Sequence, residues 1–379
     1  MAVSYLTKTE LDHFVQHNGN IEAGVRSALI DSLEQSGVFH DTEDGTRGWL
    51  ESGPFHGGAV PPVVQILDVS QSTSVQTNPN LKAIILDDHS GRLDVTGGDN
   101  NIFVAAGKGS DTINLHDSGN DTVYGGSGND VIRGGHGDSS LFGGAGNDSI
   151  FGGTGNDTLD GGSGNDYLVS GAALASGTGG RAPDANAGGH QRVASADDQV
   201  FGRGHGGDQD RGDDHWGGRG HGNGQGGGHG DNHGGGQGPG DHGGGQGSGG
   251  AMEGHSTLIG GAGNDTLVGV QGDVMQGGAG NDQFWISGGA PGANSTLEGG
   301  AGNDTFHIQS HQGNDTIFGG DGKDSVDFVG RSFFDVTKID VDSNTNTYTL
   351  HFSDEQTIAV SGVEDLHFTD QVVNLPKLS

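Results

Sequence analysis

The chain has 379 residues, 81 of them glycine, and a formal net charge of −34 at pH 7. Only 29% of its residues are hydrophobic and 6% aromatic, too little apolar surface for a large core to offset the entropy of ordering the chain. So acidic a chain is a poor partner for nucleic acid and a good one for cations. Without cysteine it holds neither disulfides nor thiolate-bound metal.

In chain order, "MAVSYLTKTELDHF" has no basic segment followed by an apolar run, so no cleavable N-terminal signal is expected. No stretch approaches the roughly 18 consecutive apolar residues of a membrane helix. Residues 1–60 read as a helical segment followed by a loop. Thr9-Glu10-Leu11-Asp12 resembles a capping box with aspartate in place of glutamate. Leu11, Phe14 and Val15, then Ile21, Val25, Leu29 and Leu33, recur at helical spacing and predict two helices over 9–36. These are expected to cap or dock, with partner binding as the alternative. Residues 37–60 show no pattern and predict loop. Over 61–105, "VVQILDV", "LKAIILDD", "GRLDV" and "NNIFVAA" predict short strands that approach a nine-residue beat.

From 106 to 170, and again from 256 to 330, the beat is explicit. The pattern G-G-x-G-x-D starts at Gly125, Gly143, Gly152, Gly161, Gly260, Gly277, Gly299 and Gly319. Two residues after each acidic position stands an apolar one, such as Ile132, Leu141, Ile150, Leu159 and Phe306. Each copy therefore predicts a glycine turn and a very short strand. One apolar residue per copy cannot bury itself, but stacked copies line such residues into a narrow core between two sheets. Two copies make one coil, so residues about 18 apart stack at roughly 4.8 Å.

This arithmetic puts the acidic residues in columns. Asp111, Asp130, Asp148 and Asp166 share one edge in the first block, and Asp265, Asp282, Asp304 and Asp324 share one in the second. The opposite edges carry Asp121, Ser139 and Asp157, then Asp273, Ser295 and Asp315. Ionised carboxylates about 5 Å apart repel by about 3 kcal/mol per pair at an effective dielectric near 20. Such columns need cations between their members. Calcium suits them best, because it takes six to eight hard oxygens in flexible geometry and glycine turns offer carbonyls beside the carboxylates. Coils 61–105 are then calcium-poor.

"GGAGNDSIF", "GGTGNDTLD" and "GGSGNDYLV" resemble the nonapeptide of the RTX family of haemolysin-type calcium-binding repeats. The resemblance implies an all-β parallel β-roll that folds on binding calcium outside a bacterial cell. It also implies type I secretion through an uncleaved C-terminal signal. Asp130, Asp148, Asp157, Asp166, Asp265, Asp282, Asp304 and Asp324 match the family's ligand position. Asp111, Asp121, Asp273 and Asp315 lie in imperfect copies, and sites at Ser139 and Ser295 are expected to be weak or empty.

Residues 171–255 contain a Gly/His-rich low-complexity insert, expected to be a solvated spacer extruded from one continuous roll. Zinc, nickel or copper binding through His221, His229, His233 and His242 is the alternative. Residues 331–379 predict a C-terminal β cap, with a hairpin around "DSNTN" and a tail that overlaps the secretion signal. The chain has no H-E-x-x-H helix and no G-x-S-x-G elbow. The expectation is a secreted, non-enzymatic calcium-binding protein. A calcium-rigidified adhesin, matrix or surface-layer protein, with a cell-surface partner on the helices or insert, is one alternative. A small secreted enzyme with its site in 1–95 is the other.

Overall fold

In the computed structural model the described residues are 2–18, 21–39, 47–52, 57–60, 64–70, 72–86, 90–171, 255–289, 292–309 and 313–376. They belong to one compact unit, Met1–Gln191 with Ala251–Ser379. Residues 172–254 of the Gly/His-rich insert, with His221, His229, His233 and His242, lie outside the described residues.

Each nonapeptide contributes one strand, and among the described residues successive repeat strands go alternately to two sheets of fifteen and thirteen strands. The strands from Ile66–Val69 to Asp315–Asp321 in the larger sheet pair in parallel, as do those from Gly58–Ala59 to Asp365–His367 in the smaller. The chain is thus the all-β parallel β-roll that the beat predicts. In the larger sheet, Ile84, Val104, Val123, Leu141, Leu159, Leu258, Met275, Leu297 and Ile317 stand in register. Facing them, Leu93, Ile113, Ile132, Ile150, Leu168, Leu267, Phe284, Phe306 and Val326 form the second file. All eighteen are fully buried, and Phe284 stacks on Phe306 with ring centroids 4.6 Å apart. The second apolar position of each strand is commonly glycine, which keeps the core one side chain wide.

The pairing resolves how the two blocks join. Thr158–Ser163 pairs directly with Thr257–Ala262, and Tyr167–Val169 with Thr266–Gln271. The roll therefore passes from residue 169 to residue 257 without losing a rung.

The two predicted helices are present, α1 at Lys8–Asn18 and α2 at Ala23–Gln35. The capping box lies two residues earlier than "TELD" suggests. Thr7 Oγ1 accepts from the Glu10 N–H at 3.3 Å, and Glu10 Oε2 accepts from the Thr7 N–H at 2.8 Å, so glutamate holds its usual place. Leu11, Val15, Ile21, Leu29 and Leu33 bury against Leu50, Ile66, Ala83, Ile85, Phe103 and Ala105 on the outer face of the larger sheet. This explains the unbroken apolar runs of the early coils: both faces of those strands are covered. It also occupies the apolar faces of the helices.

Residues 37–60 are not simply loop. Arg47–Ser52 pairs antiparallel with Ala2–Thr7 and parallel with Ile66–Val69, and Gly58–Ala59 pairs with Thr73–Gln76. At the other end, Val336–Asp342, Thr347–Phe352 and Thr357–Ser361 form an antiparallel meander around the expected hairpin. Its last strand joins Asp315–Asp321 in parallel. Arg331 forms a bidentate pair with Asp354 and lies 4.2 Å from the Phe352 ring centroid.

Candidate metal centre

The turns explain why the motif reads as it does. In the copy beginning at Gly143, Gly144 and Gly146 have φ of 109° and 130°, which residues with a Cβ rarely adopt. A Cβ on Gly144 would also lie 2.1 Å from the Gly126 carbonyl oxygen of the preceding coil. Gly143 is required for another reason. Its Cβ would stand 2.3 Å from Asp148 Oδ2 and 2.8 Å from the Gly161 oxygen. The missing side chain leaves a small space faced by a carboxylate oxygen from its own repeat and a carbonyl from the next coil. Gly125, Gly161, Gly260, Gly277 and Gly299 repeat this arrangement with Asp130, Asp166, Asp265, Asp282 and Asp304.

The aspartates of this edge form one ladder across both blocks. From Asp111 to Asp304, each backbone N–H donates to Oδ1 of the aspartate one coil on, at 2.7–2.8 Å. The step from Asp166 to Asp265 belongs to the same series. The ladder ends where the Asp324 N–H donates to Glu364 Oε2 at 2.9 Å. The other oxygen, Oδ2, has no hydrogen-bond partner at Asp130, Asp148, Asp166, Asp265, Asp282, Asp304 and Asp324. All seven residues are at most 2% exposed. A buried carboxylate oxygen without a partner is costly, and a row of them beside carbonyl-lined spaces is a hard-cation donor set. Among the described residues no three His, Asp or Glu side chains converge, so each cage would combine carboxylates with backbone carbonyls.

The opposite edge is different. Its order is Asp121, Ser139, Asp157, Ser256, Asp273, Ser295, Asp315, a strict alternation. Ser139 Oγ accepts from Asp121 N–H at 3.2 Å and Ser256 Oγ from Asp157 N–H at 3.2 Å, while Asp157 Oδ1 accepts from Ser139 N–H at 3.0 Å. Serine thus replaces the acceptor but not the charge. Asp121 and Asp157 keep a buried Oδ2 without a partner. Asp273 does not: its Oδ1 accepts from Ser256 N–H at 2.9 Å and its Oδ2 from Val270 N–H at 2.8 Å.

Sequence reasoning missed Ser256, although it stands two residues before the in-phase Leu258, where the acidic position falls. It also missed the asparagines. Asn147, Asn165, Asn264, Asn281 and Asn303 each donate their N–H to the Asn Oδ1 of the preceding coil at 2.6–2.8 Å, an outer ladder beside the aspartates.

Burial is the main cause of raised carboxyl pKa values at nine of the edge aspartates. Asp130 is pushed up to about 8, with the charges of Asp148 and Asp111 adding to burial. Asp121, Asp166 and Asp265 reach about 7. Asp148, Asp157, Asp282, Asp304 and Asp324 reach about 6. Without a counter-cation the fold therefore penalises the ionised form of its own repeated residue.

A family model of the RTX calcium-binding nonapeptide repeat, in four copies, matches residues 117–150, 137–168, 251–273, 260–290, 292–308 and 307–328. No curated protein matches the chain. The crystal structure of the extracellular lipase LipA from Serratia marcescens is similar at 14% identity, covering 75% of this chain and 43% of that one, with a TM-score of 0.14. The chain spans less than half of that enzyme, and so loose a likeness carries no argument about activity. The matched segments coincide with the glycine turns and aspartate ladders described above, and these two stretches of the chain consist of RTX calcium-binding nonapeptide repeats.

Proposed function

We propose that this chain is a secreted protein whose roll folds when calcium fills its aspartate edges outside the cell, and that it acts by binding rather than by catalysis. The observation that carries the reading is the file of buried, partnerless Oδ2 atoms from Asp130 to Asp324, each beside a glycine that leaves room for an ion. The ligands on that edge are Asp111, Asp130, Asp148, Asp166, Asp265, Asp282, Asp304 and Asp324. Asp121, Asp157 and Asp315 serve the sparser edge, and Asp273 is the weakest member because backbone donors engage both of its oxygens. Export by a type I system suits a protein that stays unfolded until it meets millimolar calcium. The described part of residues 1–95 forms coils of the roll and the helices that cover them, which favours a binding protein over one with a separate catalytic domain.

Far-UV circular dichroism of the full chain during a calcium titration tests the reading, with magnesium as control. The expected result is a cooperative gain of β-structure between about micromolar and millimolar calcium, absent with magnesium, which holds its waters and demands a tighter octahedron. A β spectrum that is complete without calcium would contradict it.

A further inference from the structure

The turn that opens the Asp–Ser edge breaks the repeat. Where the next two coils carry Gly134-Gly135 and Gly152-Gly153, this one carries His116-Asp117. Asp117 is 3% exposed and Asp121 is 1% exposed. Neither oxygen of Asp117 meets a hydrogen-bond donor, nor does Oδ2 of Asp121. Only Asp121 Oδ1 is engaged, by the Ile102 N–H at 2.8 Å. Three bare carboxylate oxygens from two side chains are thus buried, and the two carboxyls lie close enough to interact directly.

The surroundings add carbonyls and leave space. A Cβ on Gly119 would stand 2.5 Å from the Asn100 carbonyl oxygen and 3.0 Å from Asp121 Oδ1. A Cβ on Gly135, in the coil beyond, would stand 2.4 Å from the Asp117 carbonyl oxygen and 3.2 Å from Asp117 Oδ1. Both positions are glycine, so oxygen-lined space remains on either side of the carboxylates. A proton shared between Asp117 and Asp121 would satisfy two of the three bare oxygens. A cation between them would satisfy all three, with oxygen donors only, which selects a calcium-class ion over a transition metal.

We propose that Asp117, which stands where the repeat normally has glycine, joins the repeat's own Asp121 in a two-carboxylate divalent-cation site that fills before the rest of the roll. It deepens the calcium reading above and rests on it. Elsewhere on this edge Asp157 stands between Ser139 and Ser256, so a cation there meets one carboxylate where the Asp117–Asp121 site offers two. The extra charge places the strongest site of the edge at its first turn, next to the calcium-poor coils that need no ion.

The test is isothermal titration of the full chain with calcium chloride, beside circular dichroism on the same samples. Two variants are used: Asp117→Asn, which keeps the shape, and Asp117→Gly, which restores the residue the repeat normally has. The wild-type chain is expected to bind one ion at a midpoint about ten-fold below its cooperative folding transition. Both variants should lose that ion and keep the folding midpoint within about two-fold. Variants that bind the same number of ions at the same midpoints as wild type would overturn the site while leaving calcium-driven folding intact. A wild-type chain that folds with calcium but shows no early ion would do the same. If no form binds calcium, both this site and the proposed function fall.

Discussion

Asp166→Ala is expected to raise the calcium midpoint of folding by about ten-fold or more, roughly 1.4 kcal/mol or above, while Asp157→Ala moves it by a few-fold at most. The two residues look equivalent in sequence, since each follows a perfect G-G-x-G-N. Their neighbours differ. Asp166 stands between Asp148 and Asp265, so removing it takes a carboxylate from the cages on both sides. It also leaves the buried Asp148 N–H without its acceptor, at a cost of about 1–3 kcal/mol. Asp157 stands between two serines, where fewer charges await neutralisation. Asp166→Asn separates the two effects, because it preserves an acceptor and removes only the charge. It should bind calcium as poorly as the alanine variant yet be more ordered than wild type in chelator. Calcium titrations followed by circular dichroism measure all three, and equal midpoints for Asp166→Ala and Asp157→Ala would contradict the unequal edges.

The second large effect is on pH. Nine edge aspartates have folded-state pKa values of about 6 to 8, against an ordinary value of 3.8. A raised pKa means that the folded chain holds protons which the unfolded chain has released. The stability this supplies is complete below about pH 4 and is lost as pH climbs through 6 to 8. In chelator, the chain is therefore expected to gain β-structure on going from pH 8 to pH 5, because protons do in part what a cation would do. With calcium present the sign reverses, since protons and metal compete for the same oxygens and acid weakens binding. Circular dichroism at both pH values, with and without calcium, checks this. A metal-free chain that loses structure on acidification would show that the edge carboxylates are not the groups opposing the fold.

The fold was largely legible because the motif imposes it residue by residue. Glycines such as Gly144 and Gly146 admit no other side chain, and the in-phase apolar residue has one place to go. The columns followed from counting by 18. Counting could not cross the insert, so the junction of Asp166 with Asp265 required the pairing of Thr158–Ser163 with Thr257–Ala262. Ser256 hid in a degenerate copy, and with it the strict alternation of the second edge. The strand Ala2–Thr7 left no sequence signal because its partner, Arg47–Ser52, lies 45 residues away and the pairing is set by tertiary context. Asp117 was passed over for the opposite reason: a search for the repeat discards the residue that breaks it.

The most direct measurement is a calcium-edge anomalous difference map from crystals grown with calcium. The account predicts a row of peaks between successive coils along the edge from Asp130 to Asp324, passing unbroken from Asp166 to Asp265, and a sparser row on the Asp–Ser edge. An ordered roll with no peaks beside those carboxylates would contradict it, because the partnerless Oδ2 atoms would then be tolerated without an ion.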